Sequence, residues 1–160
     1  MSAPTVEQLR AELTGDPAGL GYAPLVNSAQ DYQVAALLNA DRDQVYSYAP
    51  IADLQAELHK MIHSSGLPTW SIIKQQAAGE ASAIQAVCGL IVDITQARYS
   101  NVDMGLAVVQ GSLAALETAT ILTTEQKTAL LALGQRWRSR AEELWGLGTR
   151  ITAAMVSNAR

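Results

Sequence analysis

Apolar residues recur at helical spacing along almost the whole chain, and this periodicity restricts the fold more than any other feature. The clearest stripe consists of Ile51, Leu54, Leu58, Met61 and Ile62. Residues three or four positions apart lie on one face of an α-helix, so each stripe predicts a helix packed against a core. Period-2 runs of β-branched residues bounded by turn residues are nearly missing. The pattern therefore predicts an all-α fold.

Capping residues divide the apolar pattern into separate helices. Residues 5–8 (Thr-Val-Glu-Gln) and 123–126 (Thr-Thr-Glu-Gln) have the spacing of a capping box, which opens a helix. We expect the second box to start one long helix that runs through Leu144, and Thr152 to cap a short last helix. The polar segment 39–48 is expected to form a loop.

The length and the hydrophobic content fit one domain. A chain of 160 residues, 49% of them hydrophobic, suffices for one core and is short for two. We therefore expect a single bundle-like domain of about six to eight helices over residues 1–160. Its central helix should cover Ala83–Ile94, the most apolar segment, and Gly89 should mark a close approach of two helices there.

Charge is scarce and slightly negative, which argues against several classes of protein. Charged residues make up 16% of the chain and the net charge is −4. A general nucleic-acid binder needs clustered positive charge, and the basic cluster here consists of Arg136, Arg138 and Arg140. Binding to nucleic acid is therefore not expected. Scarce charge favours association with other protein surfaces, including copies of the same chain, although a surface rich in Gln, Ser, Thr and Asn would serve as well.

Neither a membrane span nor a secretion signal is expected. The longest apolar stretch, Ala83–Ile94, is interrupted by Gln85 and Asp93 and is too short to cross a bilayer. The first residues lack the basic and apolar regions of a signal peptide. The one cysteine, Cys88, excludes a disulfide within this sequence and fits a reducing cytoplasm or a virus particle assembled there.

Two short patterns resemble metal sites but lack the residues that would complete them. His59 and His63 have helical i, i+4 spacing, yet Lys60 stands where a zinc protease has glutamate, and no third ligand is evident. Residues 41–43 (Asp-Arg-Asp) start like a calcium loop, but Tyr46 occupies the position of its turn glycine. We expect no metal and no other cofactor.

The sequence offers no set of catalytic groups. Glu142 and Glu143 are adjacent and point to different sides of a helix. Cys88 lies on an apolar stripe with no nearby base, which is typical of a core residue. A glycine-rich phosphate loop and a nucleophile elbow are both missing. The chain is therefore not expected to be an enzyme.

A basic and aromatic patch lies late in the chain. On the expected long helix, Trp137 falls on the apolar face and should lie in the core, while Arg140 can pair with Glu143. Arg136 has no acidic residue three or four positions away, so we expect it to meet carboxylates of a partner. The candidate interface residues are Tyr46, Tyr48, Trp70, Arg136 and Trp145.

Both ends of the chain carry distinctive segments. Residues 9–22, Leu-Arg-Ala-Glu-Leu-Thr-Gly-Asp-Pro-Ala-Gly-Leu-Gly-Tyr, are followed by Leu-Leu-Asn at 37–39, and residues 139–148, Ser-Arg-Ala-Glu-Glu-Leu-Trp-Gly-Leu-Gly, by Arg-Ile-Thr at 150–152. These segments resemble a group of small tailed-bacteriophage proteins. Members of that group begin with a helix, a DP-x-x-x-GY turn and a helix ending in LLN, and they close on an SRAEELG-x-G segment. Trp145 departs from this pattern.

The resemblance implies a small helical structural protein of a phage. We accordingly expect a virion protein, assembled in the host cytoplasm, that serves as a helical adaptor in the tail, connector or fibre-attachment region. It would act by protein–protein packing with other phage structural proteins and with copies of itself. The alternative is a cytosolic tail or fibre assembly chaperone that is absent from the mature particle.

Overall fold

The computed structural model describes residues 3–96 and 100–160. Helices and short strands alternate along these residues. The elements are α1 (Val6–Gly15), α2 (Tyr22–Asn27), α3 (Asp31–Asn39), β1 (Asp41–Tyr46), β2 (Tyr48–Pro50), α4 (Ile51–Lys60), α5 (Thr69–Ala77), α6 (Ala83–Gln96), β3 (Asn101–Asp103), α7 (Ala107–Thr118), α8 (Thr124–Ala132), β4 (Gln135–Ser139), α9 (Arg140–Trp145) and α10 (Ala153–Ala159).

The chain forms two compact units, each with its own hydrophobic core. Met1–Gln44 and Trp137–Arg160 together form one, which we call the terminal unit. Val45–Arg136 forms the other, the inserted unit. The single domain expected over residues 1–160 stays a prediction, which the number of unfolding transitions tests.

The core of the inserted unit lies among helices α4 to α8. Helix α5 packs on α6, α6 on α7, and α7 on α8. Ile73, Cys88, Leu116 and Leu130 are fully buried between them, so the core position predicted for Cys88 is confirmed. Burial raises the pKa of the Cys88 thiol, because the charged thiolate loses its hydration there.

The core of the terminal unit lies among helices α1, α2, α3, α9 and α10. Helix α10 packs on α1 and α3, and α3 also contacts α2 and α9. Leu9, Tyr22, Val34, Leu38 and Val156 are almost completely buried there. Both ends of the chain therefore contribute to one core.

The helix caps predicted at Thr5, Thr123 and Thr152 are confirmed. Thr5 accepts a hydrogen bond from the N–H of Gln8, whose side chain bonds back to Thr5, and α1 begins there. Residues 123–126 form the same reciprocal pair at the start of α8. Thr152 accepts the N–H of Met155 at the start of α10. These contacts are local, so the sequence alone specifies them.

The all-α prediction is only partly right, because short strands interrupt the helices. Residues 39–48, predicted as a loop, contain β1 and the start of β2. Strands β1 and β4 form one two-stranded sheet, and β2 and β3 form another. Their residues are mainly polar, and their hydrogen bonds join segments that are far apart in the sequence.

The predicted long helix is also wrong, because α8 ends at Ala132. The carbonyl oxygen of Gly134 accepts the N–H of Ser47 at 2.7 Å. A Cβ at Gly134 would lie 2.5 Å from Cγ of Met104, so the backbone approaches its neighbours closely here. The next residues form β4, in which Trp137 is 52% exposed and not in the core.

The close helix crossing expected at Gly89 is not found. A Cβ added at Gly89 would meet no atom within 4 Å outside its own helix turn. Another glycine, Gly79, lies in the break between α5 and α6.

Candidate protein-binding groove

An open, mainly apolar groove of about 600 Å³ lies on the inserted unit. Helix α6, the β2–β3 pair and the first turn of α7 supply its walls. The residues that line it are Tyr48, Ile51, Leu90, Asp93, Ile94, Asn101, Val102, Asp103, Leu106, Val108 and Val109.

The β2–β3 pair places three of these side chains. Tyr48 lies opposite Asp103 and Ala49 opposite Val102 in the antiparallel register. Successive side chains of a strand point to opposite faces. Ala49 and Val102 are buried in the core, whereas Tyr48 and Asp103 are not; Tyr48, Val102 and Asp103 all border the groove. Tyr48 is 63% exposed.

A tight turn after β3 places the next part of the rim. A carboxylate oxygen of Asp103 accepts the N–H of Gly105 at 2.8 Å, and the side-chain amide of Gln110 donates to the carbonyl oxygen of Met104 at 3.1 Å. Helix α7 then begins, with Leu106 at its N-cap and Val108 in its first turn. Leu106 is 50% and Val108 56% exposed, so two large apolar side chains stand in solvent at this edge.

One face of α6 forms the opposite wall. Leu90, Asp93 and Ile94 have i, i+3, i+4 spacing and line the groove together, whereas Ile91 and Thr95 are buried in the core. The side chain of Asp93 is exposed and makes no hydrogen bond or ion pair with any residue that the structure describes.

The electrostatic character of the groove follows from its two acids. Among the described lining residues, Asp93 and Asp103 are the charged ones, and they lie on different walls. An apolar surface flanked by carboxylates is suited to recognition, because apolar contact supplies affinity and the charges select a partner of opposite sign.

The structure separates the candidate interface residues. Tyr48 lines the groove, and Tyr46 is part of β1 and 38% exposed. Trp70 is buried in the core, with its ring 5.9 Å from that of His59, so it is not available to a partner. Arg136 already has an interaction within the chain, which corrects the expectation that it waits for a partner's carboxylates. Trp145 packs partly against the core of the terminal unit.

A buried ion pair is the main polar feature of the terminal unit. Arg140 donates to the carboxylate of Glu12 and also pairs with Glu143 at 2.9 Å, as predicted for the second pair. The hydrogen bond from Arg140 is the largest cause that lowers the pKa of Glu143. Burial and the nearby Glu12 raise the pKa of Tyr22, whose hydroxyl donates to Glu12 at 3.5 Å. These groups hold each other in place inside the terminal unit.

The histidines do not form the pair that their spacing suggests. Helix α4 ends at Lys60, so His63 lies beyond it and bonds to the hydroxyl of Ser65 at 2.9 Å. Nδ1 of His59 lies 2.8 Å from the carbonyl oxygen of Gln55. In residues 3–96 and 100–160, no three His, Cys, Asp or Glu side chains come together in a way that would hold a metal ion.

Sequence reasoning finds Tyr48 but misses the rest of the groove. Asp93 in an otherwise apolar stripe, and the run Leu106 to Val109 at a helix start, were the available signals. Their juxtaposition depends on how α6, β3 and α7 pack.

No helix in the described part of the chain has the length and apolar character needed to cross a bilayer.

Comparisons with known proteins do not relate the chain to any of them: no family model matches it, and no curated protein or solved structure is similar to it.

Proposed function

We propose that the chain is a structural adaptor of a tailed-phage particle, which acts by packing against other proteins in the tail, connector or fibre-attachment region. The observation that carries the packing role is the groove on the inserted unit, where Tyr48, Leu106 and Val108 are exposed together. A contiguous apolar surface rimmed by polar residues is typical of a protein–protein contact.

The phage part of the proposal rests on the sequence resemblance, whose segments meet in the terminal unit. Residues 9–22, 37–39 and 139–152 carry the resemblance to tailed-phage proteins, and all belong to this unit. Their polar side chains bond mainly to one another. The pairs are Glu12 with Arg140, Asp16 with the N–H groups of Leu20 and Gly21, Asn39 with the backbone of Ile151, and Glu142 with the N–H of Gly148. The motif thus specifies one folded unit, as expected of a pattern shared through a common fold.

The inserted unit is the part of the chain that lies outside the resemblance. Val45–Arg136 lies between the two halves of the terminal unit in the sequence and carries no segment of the resemblance. A chain with two compact units is suited to an adaptor, in which one unit fixes the place of the protein and the other selects its partner.

Purified particles provide the test. Phage particles from cells that carry the encoding genome are isolated on a density gradient, and the chain is quantified by mass spectrometry against the tail subunits. An abundant host cytosolic protein measures contamination. We expect the chain in a fixed ratio to the tail subunits.

Two outcomes would contradict the adaptor role. Presence in assembly intermediates and absence from particles would indicate the assembly chaperone instead, since the same groove can bind a partner temporarily. Absence from both would refute both functions. Sedimentation of the purified chain tests self-association. A monomer at every concentration would show that the chain does not bind copies of itself.

A further inference from the structure

We infer that the groove binds an amphipathic helix of a partner protein, and that this helix presents lysine or arginine beside its apolar stripe. The inference rests on the proposed packing function and names the partner's chemistry. Three properties of the groove lead to it.

The first property is its shape. The groove is open to solvent, and Tyr48, Leu106 and Val108 are each at least half exposed. A site for a small molecule encloses most of its ligand, whereas these three side chains are exposed at the edge of an open groove. Its volume of about 600 Å³ accommodates about two or three large side chains from one face of a helix.

The second property is the kind of element that forms the walls. Leu90 and Ile94 belong to α6, and Val108 and Val109 belong to α7. These two helices pack against each other. Side-chain ridges of a third helix can fit between two such rows, with apolar residues at i, i+3, i+4 and i+7 as anchors.

The third property is charge. Asp93 and Asp103 stand on opposite walls, and the carboxylate of Asp93 has no partner among the described residues. A bound helix brings the residues that flank its apolar stripe close to both acids. Lysine or arginine there forms ion pairs, and glutamate or aspartate is repelled.

Three synthetic peptides of about 18 residues test the inference, since shorter helices are marginal in water. They share one leucine stripe and carry lysine, glutamine or glutamate beside it. Binding of each to the full chain is measured by fluorescence anisotropy at low and at high salt. We expect the lysine peptide to bind most tightly and to lose this advantage at high salt.

Matched variants show where the peptides bind. Asp93→Asn should weaken the lysine peptide about two- to fivefold and leave the glutamine peptide unchanged, whereas Glu80→Gln, which removes the same charge outside the groove, should change neither. Val108→Gln should weaken every peptide about tenfold. Val6→Gln is its control, because Val6 is likewise an exposed valine in the first turn of a helix.

Several results would overturn the inference. If the glutamine or glutamate peptide binds as tightly as the lysine peptide or more tightly, the groove has no preference for positive charge. If neither Asp93→Asn nor Val108→Gln changes the affinity of the lysine peptide, that peptide binds elsewhere. Decylamine binding as tightly as the lysine peptide would make the groove a small-molecule site. Failure of all three peptides to bind would refute a helix-binding groove. None of these results changes the amount of the chain in particles, so the adaptor role is judged separately.

Discussion

The carboxylate of Glu12 accepts two hydrogen bonds from the guanidinium of Arg140, at 2.8 and 3.0 Å, across 128 positions of sequence. The two side chains are 6% and 11% exposed. The pair therefore joins the first helix of the chain to α9 inside the terminal unit. If either residue were replaced by an uncharged one, the other would remain as a buried charge without a counter-charge.

Removing one member of this pair should destabilise the protein strongly. We expect Arg140→Met to lower the free energy of unfolding by about 3 kcal/mol, measured by urea denaturation. The double variant Glu12→Leu with Arg140→Met should lose less, because no charge is left buried. Lys60→Met is the control: it breaks the Lys60–Glu57 pair, in which Lys60 is 72% exposed, and should lower the free energy by less than about 1 kcal/mol. Equal losses in Arg140→Met and Lys60→Met would contradict the buried-pair interpretation.

Glu143 should contribute to the loss of stability in acid. Its hydrogen bond from Arg140 holds the pKa of Glu143 below the ordinary value of 4.5. The unfolded chain therefore takes up this proton at a higher pH than the folded chain does. The stabilisation is present above the ordinary value and is lost as the pH falls through the folded pKa. Glu143→Gln does not titrate, so its free energy of unfolding should fall less between about pH 5 and about pH 3. An unchanged pH profile would show that the Arg140 contact does not stabilise the carboxylate.

Gly134 and Gly111 should respond in opposite directions to alanine. A Cβ at Gly134 would meet Met104 Cγ at 2.5 Å and the carbonyl oxygen of Ser47 at 2.8 Å. Gly134→Ala should therefore lower the free energy of unfolding by about 2 kcal/mol. Gly111 lies in α7 with no atom within 4 Å of the Cβ position, and Gly111→Ala should raise the free energy by about 0.5 to 1 kcal/mol. Denaturation curves of the two variants check both signs. A neutral Gly134→Ala would disprove the close approach.

Replacement of Thr120 by glycine should stabilise the protein. Thr120 lies two residues beyond the end of α7 with a φ of 58°, and left-handed backbone is unfavourable for a β-branched residue. Thr120→Gly should therefore raise the melting temperature, through about 1 kcal/mol of stabilisation. Thr118→Gly, at the last residue of the same helix, should lower it. If both substitutions lower the melting temperature, the glycine penalty outweighs the relieved strain and the prediction fails.

The parts of the fold that depend on local contacts could be predicted from the sequence, and the parts that depend on distant ones could not. The capping residues Thr5, Thr123 and Thr152 each bond within three positions. Strand β4 depends on pairing with β1, and α8 ends just before Gly134, whose backbone closely approaches Met104. One local signal was nevertheless available. Residues 139–142 form a capping box, which starts α9 inside the predicted long helix.

The groove shows the same division. Tyr48 could be proposed as a contact residue because an aromatic side chain in a polar segment needs an explanation. The signals at Asp93 and Val108 could not be combined in this way, because the packing of α6 on α7 that brings both to one groove is not visible in either helix alone. Trp137 was misplaced because its assigned face assumed a continuous helix.

The division of the chain also bears on how such a protein diversifies. Arg138 lies 3.7 Å from Asp43 in the terminal unit, next to the points where the chain leaves that unit and returns to it. The two ends of the inserted segment therefore lie close together, and a segment with adjacent ends can be replaced by another without displacing the unit that holds it. Genes that arose by such a replacement should be similar in sequence at both ends and different in the middle.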